Sequence, residues 1–218
     1  MRVFKNIFCA ALITLMSGIQ NNASAQLFSE ASIGVMGGLT MCYGDLPTKA
    51  NAGLAINLSK ENIYKKFSAR FQLSYGDMKS SMIDSFGRTF VKFTAQFLEA
   101  SVLSDYNFFD VRDKMITPYI TAGIGVAGYF NKLSYYKGNY LPQSKLTVNI
   151  PFGAGFKYAY NNDINFRLEY LQRVTFSNKI DGIDFSKGYD YIGQVMFGMD
   201  VKLAAILPYR KDWKGRLE

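Results

Sequence analysis

The sequence contains no histidine in its 218 residues. This absence excludes serine and cysteine nucleophiles that histidine activates, and it excludes the common zinc sites that use imidazole ligands. Membrane proteases, lipases and acyltransferases of that kind are therefore disfavoured. The sequence predicts no enzymatic activity, no metal and no cofactor.

Cysteine and long apolar runs are also scarce. Cys9 and Cys42 are the two cysteines, and no segment beyond the first residues approaches the run of about 18 apolar residues that marks a membrane helix. Near the start, Arg2 and Lys5 precede an apolar run at 7–16, and Ala-Ser-Ala-Gln at 23–26 resembles a signal-peptidase site. We expect a secretory signal peptide over 1–25. The mature chain then contains Cys42 alone, interpreted as a buried thiol that forms no internal disulfide.

Acidic residues are fewer than basic ones. The chain has 25 Lys and Arg against 17 Asp and Glu, a net charge of +8. Removal of Arg2 and Lys5 with the signal peptide leaves +6. The cations are dispersed and form no basic face interleaved with aromatic residues, so nucleic acid is not an expected partner.

Strict alternation is the strongest positive signal. In 145–163, Leu146, Val148, Ile150, Phe152 and Phe156 share one parity, and the other parity is mostly small or polar. Successive side chains of a strand point to opposite faces, so the segment predicts a strand with one wholly apolar face. Its length exceeds that of an ordinary soluble strand and suits a strand that crosses a bilayer at a tilt.

The same alternation recurs along the mature chain. Eight strands are predicted, at 31–44, 51–58, 66–75, 90–108, 117–130, 145–163, 164–176 and 189–203. In the fourth, Val91, Phe93, Ala95 and Phe97 are predicted to face outward, and the apolar parity then changes at the adjacent pair Phe97 and Leu98, which predicts a β-bulge. The predicted fold is all-β, an eight-stranded antiparallel transmembrane β-barrel of the outer-membrane type.

The connections predict the orientation. Three of them, at 59–66, 110–116 and 161–163, are mostly short, whereas the other four are mostly long. Outer-membrane barrels have short periplasmic turns and long external loops. We therefore expect the barrel at 26–203 in the outer membrane, in contact with lipid, with periplasmic N- and C-termini and a periplasmic tail at 204–218.

The inward parity of the predicted strands contains charges of both signs. An eight-stranded barrel has room only for its own side chains, so these charges predict a lumen plugged by ion pairs. Glu169 is the expected counter-ion of Lys157 and Arg167, which face each other across the predicted hairpin. Transport or catalysis by these groups is the less favoured alternative. The predicted lumen network comprises Arg70, Lys92, Glu99, Lys157, Arg167, Glu169, Arg173, Asp200 and Lys202.

Two motif-like features have simpler explanations. Gly123, Gly125 and Gly128 match G-x-G-x-x-G, but they lie inside a strand pattern with no helix to receive a phosphate. Lumen-side packing explains them better than nucleotide binding. Asp181 and Asp184 lie in a segment rich in Gly, Ser and Lys, where a solvated turn is expected rather than acid–base chemistry.

The tail has a composition of its own. After Pro208 it carries aromatic and basic residues, which predict either an anchor at the membrane interface or a docking peptide for a periplasmic partner. The candidate docking residues are Tyr209, Arg210, Lys211, Trp213, Lys214 and Arg216.

Four segments, at 31–46, 87–109, 117–130 and 166–183, resemble a family of small outer-membrane barrels of Bacteroidota. Its best-known members are PorG-like components of the type IX secretion system. The resemblance implies a non-enzymatic outer-membrane anchor for a periplasmic ring, formed by a lipoprotein and its partner. Asp105 lies where members of that family are often more acidic. A stand-alone surface barrel with binding loops is the alternative, and a small-solute porin is a weaker one.

Overall fold

The computed structural model describes residues 31–43, 48–64, 66–83, 89–109, 115–135, 140–176 and 191–206. The expected signal peptide and tail residues 207–218 lie outside these ranges. The described residues form nine strands and one short helix. They are β1 (Ala31–Tyr43), β2 (Thr48–Lys49), β3 (Asn51–Tyr64), β4 (Phe67–Ile83), β5 (Thr89–Asn107), β6 (Ile116–Tyr135), β7 (Tyr140–Ala159), β8 (Ile164–Thr175), β9 (Tyr191–Lys202) and α1 (Leu203–Ile206).

The strands close into a barrel. Neighbours along the chain pair antiparallel from β3 to β9, and β1 pairs with both β3 and β9. These pairings close a ring of eight strands, so the predicted eight-stranded antiparallel barrel is confirmed. Strand β2 is an additional strand that pairs with β4.

The stagger of the barrel follows from its pairings. The hydrogen-bonded path from Ala31 leads around all eight strands and returns to β1 at Met41, ten residues further along. With a rise of about 3.3 Å per residue and strands about 4.8 Å apart, this stagger tilts the strands by about 40°. Side chains alone fill a barrel of this size.

The alternation predicted for 145–163 is confirmed. On β7, Leu146, Val148, Phe152 and Phe156 are exposed, while Asn149 on the opposite face is fully buried. Equivalent apolar side chains cover the exterior of every barrel strand, including Val35, Leu54, Val102, Ile124, Leu168 and Phe197. From Leu146 to Phe156 the strand advances by ten residues, which at this tilt gives an apolar belt about 25 Å tall.

Aromatic side chains border the belt. The ring of Tyr106 contacts Phe67 and Phe108, with centroids 5.1 and 5.6 Å apart. On the far side Phe166 packs against Tyr160 and Phe197. We call this end of the barrel, where the connections after Tyr64, Asn107 and Ala159 lie, the turn end, and the opposite end the loop end. Both chain ends of the barrel, Ala31 and Lys202, are at the turn end.

Two sequence predictions about local structure are wrong. No register shift occurs at Phe97 and Leu98, and Ala95 and Phe97 point into the barrel rather than outward. These two apolar side chains are buried inside the barrel because they pack with other apolar side chains at the loop end of the lumen. The register shifts of the described pairs fall instead between Lys60 and Tyr64, and between Met82 and Ile83.

Strands β4 to β7 extend at the loop end into segments for which the sequence predicts long loops. The ladder between β4 and β5 extends to Ile83 and Thr89, and that between β6 and β7 extends to Ser134 and Tyr140. Adjacent strands keep their backbone hydrogen bonds beyond the apolar belt. The alternation of apolar with polar residues therefore ends before the strand does. Residues 177–190, with Asp181 and Asp184, lie outside the described ranges.

The glycine motif lies within β6, as predicted. A Cβ atom on Gly123 would meet the carbonyl oxygen of Val102 on the neighbouring strand, so close backbone approach requires glycine there. In the part of the chain that the structure describes, no helix is both long and apolar enough to cross a bilayer.

Candidate functional site

The lumen is lined by polar and charged side chains over much of its length. Within the described residues, ion pairs join four basic side chains to five acidic ones. They are Arg70, Lys157, Arg167 and Arg173, with Glu61, Glu99, Asp105, Glu169 and Asp200. All are buried except Glu61, whose side chain is 15% exposed. These nine residues are called the lumen network below.

The largest cluster of the network lies at the turn end. Lys157 and Arg167 face each other across the β7–β8 hairpin, as predicted. Two like charges in that position repel unless an anion lies between them. Asp105 supplies it, because its Oδ2 lies 3.4 Å from Lys157 Nζ and 3.1 Å from Arg167 Nη1.

Further acids complete the neutralisation of these two cations. Lys157 also donates to Glu61 at 2.9 Å, and Arg167 Nη2 lies 2.8 Å from Asp200. Glu61 is held by Ser68, whose hydroxyl donates to it at 2.6 Å. The shift of register between Lys60 and Tyr64 lies where β3 brings Glu61 to the mouth of the barrel. The irregularity therefore accompanies closure of the turn end by a carboxylate.

Glu169 has a different partner from the one predicted. It lies 2.6 Å from Arg70 Nη2, and the hydroxyl of Tyr119 donates to it at 2.7 Å. Its expected pairing with Lys157 and Arg167 is therefore wrong. The prediction rests on neighbouring residues of the β7–β8 hairpin. The closed barrel instead brings Arg70 of β4 across the lumen to Glu169 of β8.

A second cluster lies at mid-height. Arg173 Nε donates to Glu99 at 2.6 Å, and the amide of Asn149 donates to the same carboxylate oxygen at 2.6 Å. Arg173 also donates to Ser74 at 3.2 Å and lies over the ring of Phe97, 5.3 Å from its centroid. Planar guanidinium groups combine such hydrogen bonds with ring contacts.

Apolar side chains fill the lumen on the loop-end side of Arg173. Phe97 and Tyr129 pack with ring centroids 6.2 Å apart, and both are almost completely buried. The cluster also contains the thiol of Cys42, as expected for a buried cysteine. Its members are Cys42, Met78, Ala95, Phe97, Ala127, Tyr129 and Ile192. We call it the apolar plug.

Inward-facing glycines make room for the network. A Cβ atom on Gly125 would lie 2.5 Å from Asn149 Oδ1 and 3.3 Å from the Glu99 carboxyl carbon. A Cβ on Gly155 would lie 2.7 Å from the hydroxyl of Tyr119. The small inward-facing residues of the alternating pattern therefore leave the space that the large charged side chains occupy.

Two predicted network residues stand apart from it. Lys202 lies partly exposed at the end of β9, and it forms no ion pair with another described residue. Lys92 pairs through its backbone with Ser81 and Ser134, and its side chain lies outside the described part of the structure. The predicted docking residues of the tail, from Tyr209 to Arg216, also lie outside the described ranges.

Sequence reasoning missed Glu61, Asp105 and Tyr119. Asp105 shares the inward parity of Glu99 on β5, so parity alone would have found it. Tyr119 shares the inward parity of Thr117 and Thr121 on β6, so parity would have identified it as well. The sequence predicts that Glu61 lies in the connection at 59–66, whereas β3 continues past it to Tyr64.

The lumen network and the plug obstruct the barrel from within. The described residues include no group of three or more metal-binding side chains. Buried side chains of the described residues occupy the lumen from the turn end to the apolar plug.

The family described as "Domain of unknown function (DUF6089)" matches residues 2–199. No curated protein sequence matches the chain. The structure is similar to Neisserial surface protein A, with a TM-score of 0.55, 15% identity and coverage of 80% of this chain and 97% of that one. It is also similar to a major outer membrane protein from Thermus thermophilus, with a TM-score of 0.51, 13% identity and coverage of 78% and 98%. Both likenesses show the fold. The outer membrane enzyme PagL aligns with a TM-score of 0.43 and 18% identity over 79% of this chain and 99% of its own.

Proposed function

The chain belongs to the family with the domain of unknown function DUF6089, and we propose that it is a non-enzymatic outer-membrane barrel that anchors a protein assembly. The obstructed lumen is the observation that carries this proposal. Ion pairs at the turn end and the apolar plug at the loop end obstruct the lumen. We therefore propose that the barrel acts through its outer surfaces. The proposal accordingly assigns no solute path and no reaction to the barrel interior.

Three features support the membrane location. The apolar belt is about 25 Å tall, as an outer membrane requires, and aromatic residues border it. The first 25 residues have the pattern of a secretory signal peptide. Since periplasmic turns are short in such barrels, the proposal has the turn end, where Ala31 and Lys202 lie, facing the periplasm.

A reconstitution experiment tests the closed lumen. The purified protein should insert into planar bilayers without producing ion conductance. Replacement of both Phe97 and Tyr129 by Ala removes the largest rings of the plug, but the ion pairs of the turn end remain and should still prevent steady conductance. Steady conductance of the unaltered barrel would favour the porin alternative and contradict the anchor proposal.

The finer proposal is a structural role in type IX secretion. It is supported by the resemblance of the β1, β5, β6 and β8 sequences to barrels of that machinery. The partners would be the periplasmic ring lipoprotein and its associated protein, and the tail at 204–218 would help to dock them. Trp, Tyr and Arg, which dominate protein interfaces, occur in that tail.

Deletion of residues 212–218 tests the docking role of the tail. Barrel insertion should be unchanged, while periplasmic proteins should no longer co-purify and cargo with C-terminal sorting domains should remain inside the cell. If partners and secretion both persist, the tail is an interfacial anchor. The connections at the turn end after Tyr64 and Asn107 are then the next docking surfaces to test by substitution.

A stand-alone surface barrel is the second candidate. The observation in its favour is the extension of the β4–β5 and β6–β7 ladders beyond the apolar belt at the loop end. Removal of residues 131–144 would shorten one extended hairpin. Loss of surface binding with normal secretion would support this candidate, whereas loss of secretion with normal surface binding would support the anchor.

A further inference from the structure

Two lysines lie side by side on the exterior of the barrel near the loop end. Strand β2 pairs with β4 so that Lys49 is directly opposite Lys79. Both residues are exposed. Side chains in directly opposite positions have Cβ atoms about 5 Å apart, and like charges there destabilise the pairing. A negative charge between the two side chains would remove this repulsion.

The neighbouring carboxylate forms no ion pair with either lysine. Asp77 lies two residues from Lys79 on the same face of β4, but it accepts hydrogen bonds from neutral groups. The donors are the hydroxyl of Tyr75 at 2.8 Å and the side-chain amide of Gln96 at 3.1 Å. Within the described residues, neither Lys49 nor Lys79 forms an ion pair.

The height of the lysine pair is set by β4. From Phe67, in the aromatic border at the turn end, the strand advances twelve residues to Lys79. At the barrel tilt this distance is about 30 Å along the axis, or about 5 Å beyond a belt about 25 Å tall. The headgroup layer begins directly outside the hydrocarbon, so the two ammonium groups lie at the level of lipid phosphates.

The row of paired residues continues around the barrel. Thr94 of β5 pairs with Lys79, and Lys132 of β6 pairs with Thr94. A third lysine position therefore belongs to the same row. Exposed lysines such as Lys49 and Lys79 directly above an apolar wall are the arrangement expected for an anionic lipid, whose chains contact the wall while its phosphate meets the cations.

We infer that Lys49 and Lys79 form a binding site for the phosphate of an anionic lipid headgroup in the leaflet at the loop end. The inference rests on the proposed membrane location of the belt. Lysine binds phosphate as a compact positive charge, and the phosphate removes the repulsion between the two strands. Binding would stabilise the pairing of β2 with β4.

The test uses the full mature chain in vesicles of two kinds, phosphatidylcholine alone and phosphatidylcholine with increasing fractions of phosphatidylglycerol. The measured quantity is the unfolding temperature, followed by the heat-dependent shift in gel mobility. The test variant carries Lys49→Gln and Lys79→Gln. The matched control carries Lys60→Gln and Lys202→Gln, which removes the same charge at the turn end.

The unaltered protein should gain stability as phosphatidylglycerol increases, and the test variant should lose at least half of that gain. The control should keep most of it, and high salt should reduce the gain in the unaltered protein. In phosphatidylcholine alone, the test variant should be as stable as the unaltered protein or more so, since a repulsive pair has been removed. Equal losses in the two variants, or no loss in either, would overturn the site. Failure of the unaltered barrel to insert into either vesicle would instead overturn the proposed membrane location.

Discussion

Arg173 and Glu99 form an ion pair at 2.6 Å across the lumen, between strands β8 and β5 that share no backbone pairing. The pair is fully buried, and Asn149 and Ser74 supply further hydrogen bonds to it. It joins opposite walls of the barrel at the boundary between the polar lumen and the apolar plug. Its contribution to stability can be measured directly.

Replacement of Glu99 by Gln should lower the free energy of unfolding by about 3 kcal/mol, because the buried guanidinium of Arg173 loses its counter-ion. Urea unfolding of the refolded barrel in detergent micelles measures this change. The double replacement of Glu99 by Leu and Arg173 by Met should be less harmful than the single one, since no charge is then left unpaired. A double variant that shows the sum of two separate losses would contradict the coupling.

Replacement of Asp105 by Asn should be among the most damaging single changes in the lumen. Its carboxylate lies within 3.4 Å of Arg70, Lys157 and Arg167, so three cations lose one shared anion. A loss of about 3 to 5 kcal/mol is expected in the same unfolding assay. Asp163→Asn is the matched control, since Asp163 is exposed in the β7–β8 turn and should tolerate the change. Similar stabilities of the two variants would show that Asp105 is not the hub of this cluster.

Replacement of Gly125 by Ala should destabilise the barrel by about 1 to 3 kcal/mol, as overpacking does in a filled interior. The added methyl group would displace Asn149 from the Glu99 carboxylate. Gly37→Ala is the control, because a Cβ there has its nearest neighbour at 3.7 Å and makes an ordinary contact. Thermal unfolding in one detergent compares the unfolding temperatures of the two variants. Equal stability of the two would indicate that the lumen relaxes around the new methyl group.

Single cysteines at Ala50 and Asn162 should report the orientation of the barrel. Both residues are exposed, one at the loop end and the other in the β7–β8 turn, while the thiol of Cys42 is buried and should give little background. An impermeant maleimide should label Ala50→Cys on intact cells and Asn162→Cys only after the outer membrane is permeabilised. Labelling of Asn162→Cys on intact cells would reverse the proposed topology.

Most of the barrel could be predicted because alternation is a local property. The apolar parity of Leu146 and Val148 identifies the outer face of β7 without knowledge of any partner. The β7–β8 register followed from a three-residue turn, which places Lys157 opposite Arg167. The inward orientation of Ala95 and Phe97 could not be predicted, because apolar residues on both faces erase the period where the plug begins.

The choice of ion-pair partners was likewise inaccessible to sequence reasoning. Arg70 and Glu169 are 99 residues apart in sequence and belong to strands that are not neighbours in the sheet. Glu61 reaches Lys157 only because β3 continues to Tyr64. Such contacts depend on the stagger and curvature of the whole sheet.

The sequence by itself determined the strand pattern, the apolar exterior and most of the charges that point inward, because each follows from a period of two along the chain. Tertiary structure decided the pairing of those charges, the division of the lumen into a polar network and an apolar plug, and the apposition of Lys49 with Lys79. The reason is geometric. Closure with a stagger of ten residues brings side chains of distant strands together across an interior only wide enough to hold them.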